Sequence, residues 1–180
     1  MNEKDFSEII RDYLGKKLTG YEVKNKEALL YKIIINQEGK IQPAEPLNPT
    51  RGNLAFETDL LIKKDGLPIV VCEAKYKKGG GFTTHDILTY STKALKHKEV
   101  YPYLRYGFVA GNTDVLSNKF FTHNEGFDFA LAMIKPDDAS LAKLLEIIKG
   151  QIRDAESLLN MLKDKHRTIC FNTRLDFENA

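Results

Sequence analysis

Apolar positions at helical spacing open the chain: Phe6, Ile9, Ile10, Tyr13 and Leu14 fall on one face, with Gly15 and Gly20 near the end. This spacing predicts a helix over residues 3–18. From Leu29 to Asn36 the pattern changes to a β-branched and aromatic run, which predicts a strand. Residues 37–53 carry Pro43, Pro46 and Pro49 and no clear period. A connection that long is uncommon in a compact domain, so it is expected to lie over a substrate or at a subunit contact. Two β-rich runs, Phe56 to Ile62 and Ile69 to Lys75, flank Lys64-Asp65-Gly66 and predict a hairpin, because Asp-Gly tolerates positive φ. Lys77-Lys78-Gly79-Gly80-Gly81 reads as a flexible basic connector. Thr83 or Thr84 is a cap for the next helix, with Asp86 in its first turn and its end near Lys98.

Tyr103 to Ala110 predicts another strand, Asp114 to Phe121 a short helix, and Phe127 to Ile134 a last strand closed by Pro136. From Asp137 a stripe of Leu141, Leu144, Leu145, Ile148, Ile152, Ala155, Leu159 and Leu162 predicts helix again, with Gly150 as a break or kink. This order implies an α/β fold with a central mixed β-sheet flanked by helices on both faces. The chain of 180 residues is expected to form one domain, with a core over about 1–134 and a C-terminal helical segment over about 137–165.

Composition narrows the setting only a little. A hydrophobic share of 42% and a charged share of 29% are those of an ordinary globular chain. No run of about 18 apolar residues predicts a membrane span. The polar start lacks the apolar core of a signal peptide. Cys72 and Cys170 form neither a disulfide framework nor a zinc pattern, and a reducing, cytoplasmic location is expected. A net charge of +2 does not by itself announce nucleic acid, whereas the local clusters Lys75, Lys77, Lys78 and Lys93, Lys96, Lys98 suit phosphates or a solvated face.

The chemistry concentrates in the hairpin. Residues two apart on a strand share a face, so Glu73 and Lys75 point one way while Val70, Cys72 and Ala74 point the other. Pairing brings Asp59 toward Glu73. Two carboxylates and an ammonium beside apolar strands make a site for a hard cation with a proton-handling neighbour. Glu73 follows the apolar run Pro68-Ile69-Val70-Val71-Cys72, where an unpaired charge is costly and needs a reason.

Asp59 followed one hairpin later by Glu73-Ala74-Lys75 resembles the PD-(D/E)XK nuclease superfamily of restriction endonucleases, Holliday-junction resolvases and RecB-like nucleases. Thr58 stands where that motif has proline. The resemblance implies a restriction-endonuclease-like core with a C-terminal helical extension. It implies a Mg2+ ion (Mn2+ substituting) held by Asp59, Glu73 and the backbone carbonyl of Ala74, with Lys75 holding water, taking its proton or stabilising phosphate charge. It also implies a further acid on the first helix. Glu3 and Glu8 are the candidates, Glu8 being favoured because it flanks Ile9 near the apolar stripe.

Around this centre, Arg51, Lys77, Lys78, Tyr90 and Lys93 are candidate DNA contacts. Asp86 takes the place of the Gln that RecB-like members carry four residues before a tyrosine, so that branch is not assigned. The four histidines lack metal-ligand spacing. The function implied is a Mg2+-dependent DNA endonuclease, foremost a type II restriction enzyme or the cleavage subunit of one. Its substrate would be double-stranded DNA, it would be a homodimer, and there is room for a separate specificity subunit. The alternatives are a structure-specific repair or recombination nuclease and a non-catalytic DNA-binding module with a nuclease-like core.

Overall fold

The run from Leu67 to Tyr76 is buried over most of its length, and the other elements are layered on it. The computed structural model describes residues 1–77, 81–163, 170, 172 and 175–178. In chain order the elements begin with helix α1 (Glu3–Lys17) and strands β1 (Glu22–Lys24), β2 (Ala28–Leu30), β3 (Ile34–Ile35), β4 (Ile41–Gln42), β5 (Ala55–Glu57), β6 (Leu60–Lys64) and β7 (Leu67–Tyr76). Helix α2 (Thr84–Val100), β8 (Arg105–Gly111), α3 (Asn118–His123), β9 (Phe129–Met133) and α4 (Asp138–Lys163) follow.

The five-stranded sheet has the order β1-β6-β7-β8-β9. The β1–β6 and β6–β7 pairs are antiparallel, while the β7–β8 and β8–β9 pairs are parallel. The mixed sheet follows from the connections. A two-residue turn at Asp65-Gly66, both at positive φ, folds β6 back on β7. Helices α2 and α3 provide the crossovers that parallel strands need.

Each face of the sheet has its own core. On one, Leu60, Val70, Cys72 and Ala74 pack with Phe6, Ile10 and Leu14 of α1 and Leu144 and Ile148 of α4. On the other, Leu61, Val71, Tyr106 and Phe108 pack with Ile87 and Ala94 of α2 and Phe120 of α3. Both α1 and α2 start with reciprocal capping boxes, Asn2 with Asp5 and Thr83 with Asp86. No helix among the described residues is long and apolar enough to cross a membrane.

Several boundaries differ from the sequence expectation. The strand predicted over Leu29 to Asn36 is two short ones, β2 paired with β5 and β3 paired with β4. The region predicted as irregular contains β4, which pairs back on β3, with Ile34, Ile35 and Ile41 exposed. The predicted strand from Phe56 is interrupted at Thr58 and Asp59, because Thr58 turns to bond the segment before β2. Gly150 does not break α4, which is one continuous helix. Nor is α4 an appendage: its stripe is buried in the first core, and only its end, Met161 and Leu162, remains exposed among the large apolar side chains.

Leu144→Ala is therefore expected to cost about 3 kcal/mol, as large-to-small changes in a packed core do. Urea unfolding of wild type and variant measures it. An unchanged midpoint would mean that α4 is not part of the core.

Candidate active site

β6 ends while β7 continues, and the chemistry collects at that step. The ladder runs Ile62 with Val70, Leu61 with Val71 and Leu60 with Cys72, which sets Asp59 across from Glu73. A register shift makes this possible. The turn pairs Lys64 with Leu67 and Lys63 with Pro68, and the pairing then skips Ile69. Without that extra residue the same turn would set Asp59 across from Cys72. Bulges beside functional sites re-aim side chains in this way. The bulge also explains why the adjacent residues Ile69 and Val70 both enter the first core.

Thr58 fixes the acid that follows it. Its N–H and its hydroxyl both donate to the carbonyl of Glu27, at 2.9 and 3.0 Å, and its own carbonyl accepts from Lys26 N–H at 3.0 Å. A proline here would lack both donors. Asp59 Oδ2 accepts from the Ala74 N–H at 3.1 Å and from the Lys75 ammonium at 2.7 Å. In an extended strand a residue's N–H and C=O leave on the same edge. The Ala74 carbonyl therefore faces the Asp59 side, past the last β6–β7 pair at Leu60 and Cys72.

Glu73 is 1% exposed. Its Oε1 accepts from the Tyr106 hydroxyl at 2.6 Å and from the Lys93 ammonium at 2.7 Å. Its buried Oε2 has no hydrogen-bond partner and lies 3.9 Å from Lys75 Nζ. Lys75 thus lies within reach of both carboxylates and also donates to Glu3 at 3.0 Å. The Tyr90 ring lies under its ammonium, 4.5 Å from the centroid.

The two charged groups of β7 respond differently to these surroundings. Burial raises the Glu73 carboxyl, the Lys93 charge opposes that, and the Asp59 charge adds to it; the net direction is upward. Burial draws the Lys75 ammonium down, but the charge and hydrogen bond of Asp59, with Glu73 and Glu3, outweigh it and hold Lys75 above its ordinary range.

The structure brings Asp59, Glu73, Ala74 and Lys75 together as the hairpin reading expected. It corrects the choice on the first helix. Glu3 at the start of α1 meets Lys75, whereas Glu8 lies one turn further on and pairs with Lys4 at 3.9 Å. Two candidate DNA contacts turn inward: Lys93 spans Glu73 and the Glu57 carbonyl, and Tyr90 contacts Lys75. Lys77 pairs with Asp86, which also caps α2. Arg51 is exposed and meets Glu57 only at 3.7 Å. Lys78 lies outside the described residues.

Tyr106 and the inward role of Lys93 escaped sequence reading. The one trace is a polar tip in the apolar run Tyr106-Gly107-Phe108-Val109. Among the described residues no three acidic, histidine or cysteine side chains converge as metal ligands. The donors available to a cation are Asp59, Glu73 Oε2 and the Ala74 carbonyl. This all-oxygen set suits magnesium, which takes one or two carboxylates and keeps several waters. An orphaned, buried carboxylate oxygen is the feature a cation would satisfy.

With this geometry established, comparison with known proteins adds no assignment: no family model, curated protein or solved structure matches the chain.

Two outcomes follow. Lys93→Met leaves Glu73 buried without its ammonium and is expected to destabilise by about 3 kcal/mol. Lys93→Met with Glu73→Gln is expected to recover most of that loss, and a double-mutant cycle by urea unfolding measures the coupling. Additive losses would show that the pair does not interact.

His97 gives the second. It is fully buried with neither ring nitrogen hydrogen-bonded, and burial, aided by the Lys93 charge, pushes its pKa down to about 3. A depressed histidine contributes stability above its unfolded pKa of about 6.5 and loses it as pH falls toward the folded value. By pH 4 the loss is on the order of 3 kcal/mol. His97→Leu is expected to flatten the stability profile between pH 6.5 and pH 4, and parallel profiles would contradict the assignment.

Proposed function

We propose that the chain is a divalent-cation-dependent deoxyribonuclease that hydrolyses internal phosphodiester bonds. The observation that carries this reading is the buried Glu73, one oxygen tied to Lys93 and Tyr106 and the other bare toward Lys75 and Asp59. A carboxylate kept dry and only half satisfied costs stability unless binding recovers it. Asp59, Glu73 Oε2 and the Ala74 carbonyl would hold Mg2+ or Mn2+. Such an ion supplies charge relief at phosphorus and a more acidic bound water.

The remaining chemistry belongs to the chain. Lys93 and Tyr106 lock the Glu73 rotamer by sharing Oε1. Thr58 and the Ala74 N–H lock Asp59. Lys75, between Asp59 and Glu73, is placed to donate to a phosphate oxygen or to hold the attacking water or take its proton. Glu3 steadies the ammonium from α1.

The type II restriction reading, with a homodimer placing one site on each strand of double-stranded DNA, remains the first form of the proposal. A separate specificity subunit and a cytoplasmic setting belong to that form. One observation favours the structure-specific form: a cavity of about 740 Å3 beside the site, lined in part by Tyr31, Phe56 and Lys93.

Nuclease-free protein with supercoiled plasmid and Mg2+ or Mn2+ tests the proposal. Nicked and linear products are expected, with Asp59→Ala and Glu73→Gln each slower by at least about 100-fold. Intact plasmid across both titrations, or cleavage by Asp59→Ala at the wild-type rate, would overturn it.

A further inference from the structure

Beside the carboxylates, β5 and α2 flank a second feature that hydrolysis does not require. The cavity of about 740 Å3 falls within the range of small-molecule sites, about 300–1,000 Å3. Its β side carries Tyr31 and Phe56, stacked at 4.1 Å between centroids and 16° between planes. Phe56 is 40% exposed although it sits in a strand, so part of this aromatic pair is open to solvent. Its helix side is one face of α2: Thr89, Thr92, Lys93 and Lys96 at helical spacing. Arg51 stands at the rim, 78% exposed.

We infer that this cavity receives one unpaired nucleotide of a DNA strand, its base packed against the Tyr31–Phe56 pair and its phosphate met by Arg51 and Lys96. The inference rests on the nuclease reading for the identity of the strand. An exposed aromatic pair with threonine hydroxyls and two cations at the edge matches a planar base joined to anionic phosphate. A base inside a duplex cannot present its face to such a pair, so the nucleotide comes from a single strand, a fork or a flap.

Acids do not close the pocket to phosphate. Arg51 meets Glu57 at 3.7 Å and Lys96 meets Glu99 at 2.6 Å, both as exposed pairs, which are weak and exchangeable. Continuity with the hydrolytic centre is direct. Lys93 lines the cavity and binds Glu73, and Glu57 lines it two residues before Asp59. A strand whose base is seated here carries its neighbouring phosphate toward Asp59 and Lys75.

Fluorescence anisotropy in EDTA tests this without cleavage, using a labelled single-stranded oligonucleotide of about a dozen nucleotides and the blunt duplex of the same sequence. The single strand is expected to bind at least about five-fold more tightly than the duplex. Phe56→Leu and Tyr31→Leu, which keep apolar bulk and remove the flat ring, are each expected to weaken single-strand binding by about tenfold and leave duplex binding within about two-fold. Equal affinity for strand and duplex, or unchanged strand binding in both variants, would overturn the inference. So would a free mononucleotide that competes as strongly as the strand, since the pocket would then serve a soluble nucleotide. The two readings fail separately. Plasmid cleavage with ring-independent binding sinks this inference alone, whereas ring-dependent strand binding by a protein that never cleaves sinks only the nuclease.

Discussion

The site depends on a carboxyl group held where water does not reach. Glu73 lies in the middle of the sheet, and the fold satisfies only one of its oxygens. Lys93 from α2 and Tyr106 from β8 converge on Oε1, so two neighbouring elements fix one side chain of β7. The other oxygen faces the step where β6 stops and β7 runs on. A low-dielectric surround strengthens every interaction that oxygen makes and penalises every one it lacks. The need for a cation or a proton is thereby built into the strand itself.

Around that constraint the backbone acts as a positioning frame. The skipped residue Ile69 moves Asp59 from opposite Cys72 to opposite Glu73. Thr58, tied to Glu27, keeps the following acid from swinging out. The Ala74 N–H then holds the Asp59 carboxylate beside the Ala74 carbonyl. Lys75 links the assembly to α1 through Glu3, and α1 is packed on the opposite face of the sheet from α2. Both helical layers therefore contribute to one small volume at the end of β7.

Local pattern makes part of this legible in the sequence itself. Asp-Gly fixed the hairpin, alternation fixed which face Glu73 and Lys75 share, and the Thr83–Asp86 cap fixed the start of α2. What stayed hidden needed long-range pairing. A bulge leaves no mark in composition, so the turn alone would have set Cys72 against Asp59. Lys93 looked like a surface lysine because nothing local shows that α2 lies over Glu73. Glu8 looked better placed than Glu3 because it flanks an apolar residue, yet reach toward Lys75 depends on where the helix begins relative to β7. The Tyr31–Phe56 stack joins residues far apart in sequence through β2–β5 pairing, across a stretch that read as loop.

The central claim is that the bare oxygen of Glu73 and the carboxylate of Asp59 share one cation. Crystals of the protein soaked in Mn2+ and measured for anomalous scattering address it directly. The account predicts a single strong peak between Asp59, Glu73 Oε2 and the Ala74 carbonyl, with Lys75 displaced from Asp59. A saturating soak that leaves no peak there, with the Lys75–Asp59 pair intact, would contradict it.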